Sequence, residues 1–364
     1  MSASLAHAPH TLFRVTDDLT ADAPPEARGL GRDGVRLLVA SEPSSGEVRI
    51  EHTTFAAIGE HLAPGDLLLV NNSATVAGEV DGRVSGRGAV VVHVGTGLDD
   101  GTWVLELRTA PDAAHPLLDA LEGDVVELVS GGPRLRLESP YPGPDSSPTG
   151  RGNRLWRATP LDDRSLAEHL GTHGRPIAYG YLRSRFSLDA YQTVFARVPG
   201  SAEMASAARP FTADLVTRLV SSGVLVAPVT LHTGLSSQEA GEAPQAERFA
   251  VPRETADLVN LTRSRGGRAV AVGTTATRAI ESATRPDGRV QAAAGWTDVV
   301  ISPDRPARVV DGLVTGWHDP DASHLLLVEA VAGADLTQQA YDAAVAHRYA
   351  WHEFGDAGLF LPHR

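Results

Sequence analysis

The chain has 364 residues, 42% of them hydrophobic and 21% charged, enough to bury one large core or two ordinary ones. It has no cysteine, which removes disulfides, thiolate zinc sites, iron–sulfur clusters and cysteine nucleophiles, and no lysine, which removes Schiff-base catalysis and the usual P-loop. The net charge of −13 disfavours non-specific binding to phosphate backbones, although a local patch among the 32 basic residues, all arginine, can still hold RNA.

From the N-terminus, Met1 to Ala8 lacks the basic and apolar regions of a secretory signal, so a cytoplasmic location is expected. No apolar run approaches the ~20 residues of a membrane-spanning helix; Leu67 to Val70 and Leu325 to Val328 are among the longest. Val35 to Val39 and Glu47 to Glu51 read as strands, and Phe55 to Leu62 as a short amphipathic helix. Pro64-Gly65-Asp66 turns into Leu67 to Val70, a run that suits a buried strand.

From Ala77 to Pro160 the pattern changes. Short β-rich pieces at Val80 to Val84, Ala89 to Val94, Trp103 to Arg108, Asp124 to Val129, Pro133 to Glu138 and Leu155 to Ala158 are separated by Gly, Pro and Asp turns. Six strands with almost no helix predict a small closed β-barrel, with Tyr141 to Asn153 as a flexible hairpin or loop.

After Asp162 helices and strands alternate again. Thr212 can cap a helix over Ala213 to Ser222, followed by a strand at Leu225 to Leu231. A helix over Glu254 to Arg265, a strand at Ala269 to Val272 and a helix over Thr275 to Ala283 come next. Val299 to Ser302 and Val309 to Leu313 read as strands, and the chain closes with helices near Ser323 to Ala332 and Thr337 to Tyr349. The fold class is therefore α/β: a barrel-like α/β domain, residues 1–76 and 161–364, interrupted by an all-β barrel, residues 77–160.

Four places could carry chemistry. Gly273-Thr274-Thr275 joins a strand to a helix, where free N–H groups and two hydroxyls can cradle a carboxylate or phosphate, or simply cap the helix. His232 ends a strand, where α/β proteins place ligands, or bonds locally to backbone. Asp311, Thr315, Trp317 and His318 gather an acid, a hydroxyl, an indole and an imidazole within eight residues. Asp356 follows the aromatic cluster Tyr349, Trp351 and Phe354, either a purine pocket or a packed C-terminal helix. Glu-x-x-His and paired-carboxylate signatures do not stand out, and no metal is expected.

The order of these features resembles one family. Val70-Asn71-Asn72-Ser73-Ala74-Thr75-Val76, Tyr191-Gln192-Thr193-Val194-Phe195-Ala196 and Gly200-Ser201 begin the likeness. Val229-Thr230-Leu231-His232, Ala271 to Thr275, Val310 to Leu313 and Phe354 to Ala357 continue it, so that it spans about Arg28 to Leu361. The chain is similar to the S-adenosylmethionine:tRNA ribosyltransferase-isomerases of queuosine biosynthesis. That resemblance implies an α/β barrel-like domain with an inserted six-stranded barrel. It also implies S-adenosylmethionine as co-substrate and tRNA bearing 7-aminomethyl-7-deazaguanine as acceptor. A base removes a C5′ proton acidified by the sulfonium, adenine leaves, the amine attacks the ribosyl skeleton, and epoxide closure expels methionine.

Such a site must hold a cation, accept a proton from carbon and protonate adenine. Under the resemblance, His232 and His318 are the candidate proton carriers, and Asp311 and Asp356 the orienting or sulfonium-facing acids. Gly273, Thr274 and Thr275, with Thr315 and Trp317, would hold S-adenosylmethionine; Arg175, Gln192, Ser201 and Arg209 fall on the substrate side. A monomer or weak homo-oligomer is expected.

The chain departs from the family within its motifs. Where the family usually has Pro-Thr-Ala-Gly-Leu-His-Phe, residues Ala205 to Phe211 read Ala-Ser-Ala-Ala-Arg-Pro-Phe, so Pro210 replaces a histidine. The Gly-rich segment after His232 becomes Thr233 to Gln238, and Asn-Phe-His-Leu-Pro becomes Gly316-Trp317-His318-Asp319-Pro320. Glu203, Asp319, Asp321, Glu329 and Glu353 stand where the family usually carries neutral or basic residues. Carboxylates at a substrate mouth repel phosphate and attract a cationic amine. A second reading is therefore a paralogue that applies the same chemistry to a small amine. A non-catalytic binding protein is the third.

Overall fold

The computed structural model describes residues 8–43, 46–143, 150–235, 242–320 and 322–363. The first lobe begins with strands β1 (Arg36–Ser41), β2 (Arg49–Thr54), β3 (Leu67–Asn71) and β4 (Ser73–Thr75). Phe55–His61 between β2 and β3 is a 3-10 helix that buries Phe55 and Ile58.

The barrel follows as β5 (Glu79–Val84), β6 (Gly88–Gly97), β7 (Trp103–Thr109), β8 (Val125–Leu128), β9 (Arg134–Pro140) and β10 (Leu155–Pro160). It closes in the order β10-β7-β6-β5-β8-β9, every neighbour antiparallel. Alternate residues point inward, as the two-residue period of a strand requires. Val80 and Val84, Val90, Val92 and Val94, Leu105 and Leu107, Val126 and Leu128, and Leu135 and Leu137 fill the interior. Each of the six expected strands is present. The expected loop at Tyr141 to Asn153 lies partly outside the described residues, at 144–149.

The chain returns through α1 (Leu166–His173), an element not anticipated from the sequence, and β11 (Val198–Ser201), which pairs parallel with β4. Then come α2 (Ala213–Ser221), β12 (Leu225–Leu231), β13 (Glu247–Val251), α3 (Arg253–Ser264), β14 (Ala269–Val272), α4 (Thr274–Ser282), β15 (Ala293–Thr297), β16 (Gly312–Gly316), α5 (Ser323–Ala332), α6 (Ala334–Ala346) and β17 (Ala357–Leu361). The nine-stranded sheet runs β15-β13-β12-β3-β14-β16-β17-β1-β2. At its centre β12, β3, β14 and β16 are mutually parallel, so their C-terminal ends open on one side. β3 is buried on both faces: Leu67 and Leu69 join one core, Leu68 and Val70 the other.

Two expected strands are corrected. Val299 to Ser302 forms no strand, because its polar groups are taken by side chains: Val299 N–H donates to Thr297 Oγ1, and the Val299 carbonyl accepts from Arg278 Nε. The strand expected at Val309 to Leu313 runs instead from Gly312 to Gly316. The N–H groups of Arg308, Val309 and Val310 all donate to Glu281 Oε1, at 2.9, 2.9 and 3.2 Å, so a carboxylate holds that stretch as a turn. The closing element is β17, parallel to β1, rather than a helix.

Candidate active site

A cavity of about 890 Å³ opens at the C-terminal ends of the parallel strands, the position open α/β sheets reserve for ligands. One wall is the junction of β14 and α4. Gly273 sits at φ +91° as the residue that turns strand into helix, and an added Cβ would lie 3.3 Å from that of Ala207. Behind it the first turn of α4 brings Thr274 and Thr275 to the cavity, with the Thr275 hydroxyl buried and without a hydrogen-bond partner.

The second wall follows β16. Thr315 Oγ1 and His318 Nε2 are 2.9 Å apart, and the His318 ring stacks on His324 of α5 at 4.7 Å and 9°. Burial, reinforced by His324 and His352, pushes His318 well below the usual histidine range. Burial and then Arg278 bring His324 down to about 4. Both rings are neutral at pH 7.

The third wall carries Tyr179, Tyr181, Glu203, His352 and Glu353. Beneath them Glu247 and Arg278 form a buried ion pair, and Glu247 Oε1 accepts from Gly234 N–H at 3.1 Å. Burial raises Glu247 despite Arg278 and that N–H.

Gly273, Thr274, Thr275, Thr315, Trp317 and His318 thus meet at one cavity, although the Trp317 ring does not face a ligand. It is 2% exposed and packed against Tyr341, Tyr349, Trp351 and Phe360, which removes it as a stacking platform. His232 stands beside the cavity. Its Nδ1 lies 2.7 Å from Ser73 Oγ, which lies 2.6 Å from Ser201 Oγ, which accepts from Thr233 N–H at 3.1 Å. The ring packs on Gly200, where a Cβ would come within 2.7 Å of it. Burial and then Arg248 lower its pKa.

The remaining candidates make contacts within the fold. Asp311 lies at the far end of the sheet, where its carboxylate accepts from Ala269 N–H at 2.9 Å and ties the starts of β14 and β16. Asp356 accepts from Arg36 N–H, Arg36 Nε and Ala350 N–H, so its oxygens are engaged in fixing β17 beside β1. Arg175 pairs with Glu79 and Asp81 at the neck of the barrel. The Gln192 amide bonds both backbone groups of Thr75. Arg209 is buried against Glu26 and the Ala190 carbonyl. With Pro210 it lines a second cavity of about 20 Å³, which shares Ser206, Ala207, Gly316, His352 and Glu353 with the large one.

Of the acidic departures, Glu203, Asp319 and Glu353 line the cavity. Glu329 does not: it accepts from the N–H and hydroxyl of Thr11. Asp321 and residues 236–238 lie outside the described residues. Sequence reasoning missed His324, because a histidine at the start of an apolar helix looks like surface, and Tyr179 and Tyr181, whose two-residue spacing was the only signal. Among the described residues no three His, Asp or Glu are grouped to hold a metal, and no helix is long and apolar enough to cross a membrane.

A family model described as queuosine biosynthesis protein matches residues 10–360. The chain belongs to the queuosine biosynthesis protein family. Within it, an S-adenosylmethionine:tRNA ribosyltransferase-isomerase of Thermotoga maritima is 32% identical over 96% of this chain and 98% of its own. The enzyme of that name from Symbiobacterium thermophilum is 35% identical, with the same coverages. The crystal structure of an S-adenosylmethionine tRNA ribosyltransferase from Thermotoga maritima aligns at a TM-score of 0.52, with 29% identity, over 96% of this chain and 99% of that one.

Proposed function

We propose that this member of the queuosine family transfers and isomerises the ribosyl moiety of S-adenosylmethionine onto the aminomethyl group of 7-aminomethyl-7-deazaguanine in tRNA. The products are epoxyqueuosine, adenine and methionine. The observation that carries the reading is the family match over residues 10–360. Its relatives bear the name of this reaction across nearly their whole length.

The cavity supplies groups suited to each step. The N-terminus of α4, with the unpartnered Thr275 hydroxyl, is suited to the methionine carboxylate. His318 is the group assigned to the C5′ proton. With Nε2–H donating to Thr315 Oγ1, its Nδ1 presents a lone pair, and its depressed pKa keeps that lone pair available at neutral pH. The proton taken from carbon then resides on the imidazole, which can return it to departing adenine.

His232 is assigned a positioning role through Ser73 and Ser201. In the order Thr233 N–H to Ser201, Ser201 to Ser73 and Ser73 to His232 Nδ1, each group donates once, which leaves a proton on His232 Nε2.

The test is purified protein with S-adenosylmethionine and tRNA carrying the aminomethyl base, followed by mass spectrometry. Adenine, methionine and the epoxide nucleoside are expected together, and His318→Ala is expected to lower turnover by about 10²–10⁴-fold. The carboxylates Glu203 and Glu353 in the cavity wall favour a second acceptor, a small cationic amine. Adenine release with such an amine but not with tRNA would select it. Undiminished turnover by His318→Ala would remove the imidazole from the scheme.

A further inference from the structure

The third wall of the cavity combines aromatic faces with carboxylates. Tyr179 and Tyr181, two residues apart, stack at 6.3 Å and 26°, and His352 stacks on Tyr181 at 4.8 Å and 16°. Each tyrosine hydroxyl meets one acid: Tyr179 donates to Glu203, and Tyr181 is hydrogen-bonded to Glu353. His352 adopts φ +68°, in the left-handed region, and directly precedes Glu353.

This wall has unused bonding capacity. Glu353 Oε1 is buried without a hydrogen-bond partner. The hydroxyl of Tyr191, a residue only 2% exposed, is also unpartnered, and Glu353 is the charge that acts on it most strongly. The unpaired Glu353 oxygen marks a place where a donor is missing.

The charge there is that of a cation receptor. Burial raises Glu353 and the nearby Glu203 raises it further, while the Tyr181 hydrogen bond and Arg209 oppose; the result is about 8. Burial and Glu203 thus favour the protonated form of Glu353, and a cation beside it would favour the ionised form. Arg209 acts on Glu353 from a distance while its own hydrogen bonds go to Glu26 and the Ala190 carbonyl. Two carboxyls set among tyrosines in a cavity wall suit an organic cation.

We propose that Glu203 and Glu353, with Tyr179 and Tyr181, form the subsite that receives the primary ammonium group of the acceptor. The proposal rests on the amine-transfer reading above and specifies its acceptor side. The same group is carried by the aminomethyl base in tRNA or by a free small amine. The ammonium must lose a proton before its nitrogen can attack carbon. In that step R–NH3⁺ and an ionised carboxylate become R–NH2 and a carboxylic acid, with no other reactant.

The test is calorimetric titration of the full-length protein with the free base 7-aminomethyl-7-deazaguanine, with its 7-methyl analogue lacking the amine, and separately with S-adenosylmethionine. The aminomethyl base is expected to bind about ten-fold or more tightly than the methyl analogue. Glu203→Gln and Glu353→Gln are expected to erase most of that preference while S-adenosylmethionine binding changes less than about two-fold. A wild-type protein that does not discriminate between the two bases overturns the proposal without recourse to any variant. So does a pair of variants that keep the preference but weaken S-adenosylmethionine about ten-fold, which would place the carboxylates on the sulfonium. The discrimination is measured without turnover. Absence of adenine release from the wild-type protein would therefore sink the transfer reading and leave the ammonium preference to be judged alone.

Discussion

His318 and His324 owe their neutrality to position rather than to identity. Their rings stack in the cavity wall, and burial removes the water that would stabilise either as a cation. The consequence for stability follows from the sign of the shift. Both pKa values are lowered on folding, so the contribution is complete above the unfolded value near 6.5 and is lost as pH falls toward the folded value, about 4 for His324. Urea unfolding at pH 7 and pH 5 is expected to show a loss, of which about 2 kcal/mol disappears in His324→Leu. An unchanged pH dependence in that variant would mean that its ring is solvated. At this scale the sequence was a partial guide. His318 could be singled out because it sits in a motif, whereas Asp311 and Asp356 looked equally suitable. Only the backbone N–H groups gathered around their carboxylates showed that they hold strands together.

The junction of β14 with α4 shows how an element places a site. Four apolar residues buried on both faces stop at Gly273, whose positive φ turns the chain so that the α4 N–H groups face the cavity. Gly273→Ala would place a Cβ at φ +91° and 3.3 Å from Ala207. It is expected to cost about 1–3 kcal/mol in chemical unfolding and to weaken S-adenosylmethionine binding. Full affinity in that variant would remove the helix terminus from the binding scheme. The same junction was legible beforehand, because an apolar run, a glycine and two threonines form a local signal. β13 and β15 were not legible. Their burial patterns mix exposed and partly buried positions at the edge of the sheet, and their paired residues are 42 to 50 positions apart, from Val251 with Ala293 to Glu247 with Thr297. The turn before β16 was misplaced for a similar reason: it depends on Glu281, which reaches it from α4.

At the scale of the whole molecule, the barrel is tied to the segment that follows α1 by a buried charge network that no linear pattern announces. Glu79, His93 and Glu106 are fully buried. His93 Nε2 lies 3.0 Å from Glu79, and His93 Nδ1 lies 3.4 Å from Glu106. Arg175 and Arg185 meet Glu79, and Arg108 and Arg154 meet Glu106, whose carboxyl is held down to about 2 by Arg154, His93 and Arg108 against the opposing effect of burial. Arg108 also reaches over the Tyr179 ring at 5.4 Å, so the network ends in the cavity wall. Removing one partner leaves buried cations uncompensated, and Glu106→Ala is expected to cost about 3–5 kcal/mol, read by urea unfolding. A loss below about 1 kcal/mol would mean that water already screens the network. The sequence by itself determined the α/β class, the six barrel strands, the capped helix at Thr212 and the family, because these depend on periodicity, turn residues and motifs that are local along the chain. The tertiary structure alone decided which polar residues face the cavity. That choice depends on which strands end on the same side and on which carboxylates are already bonded to backbone, and both are set by residues hundreds of positions apart.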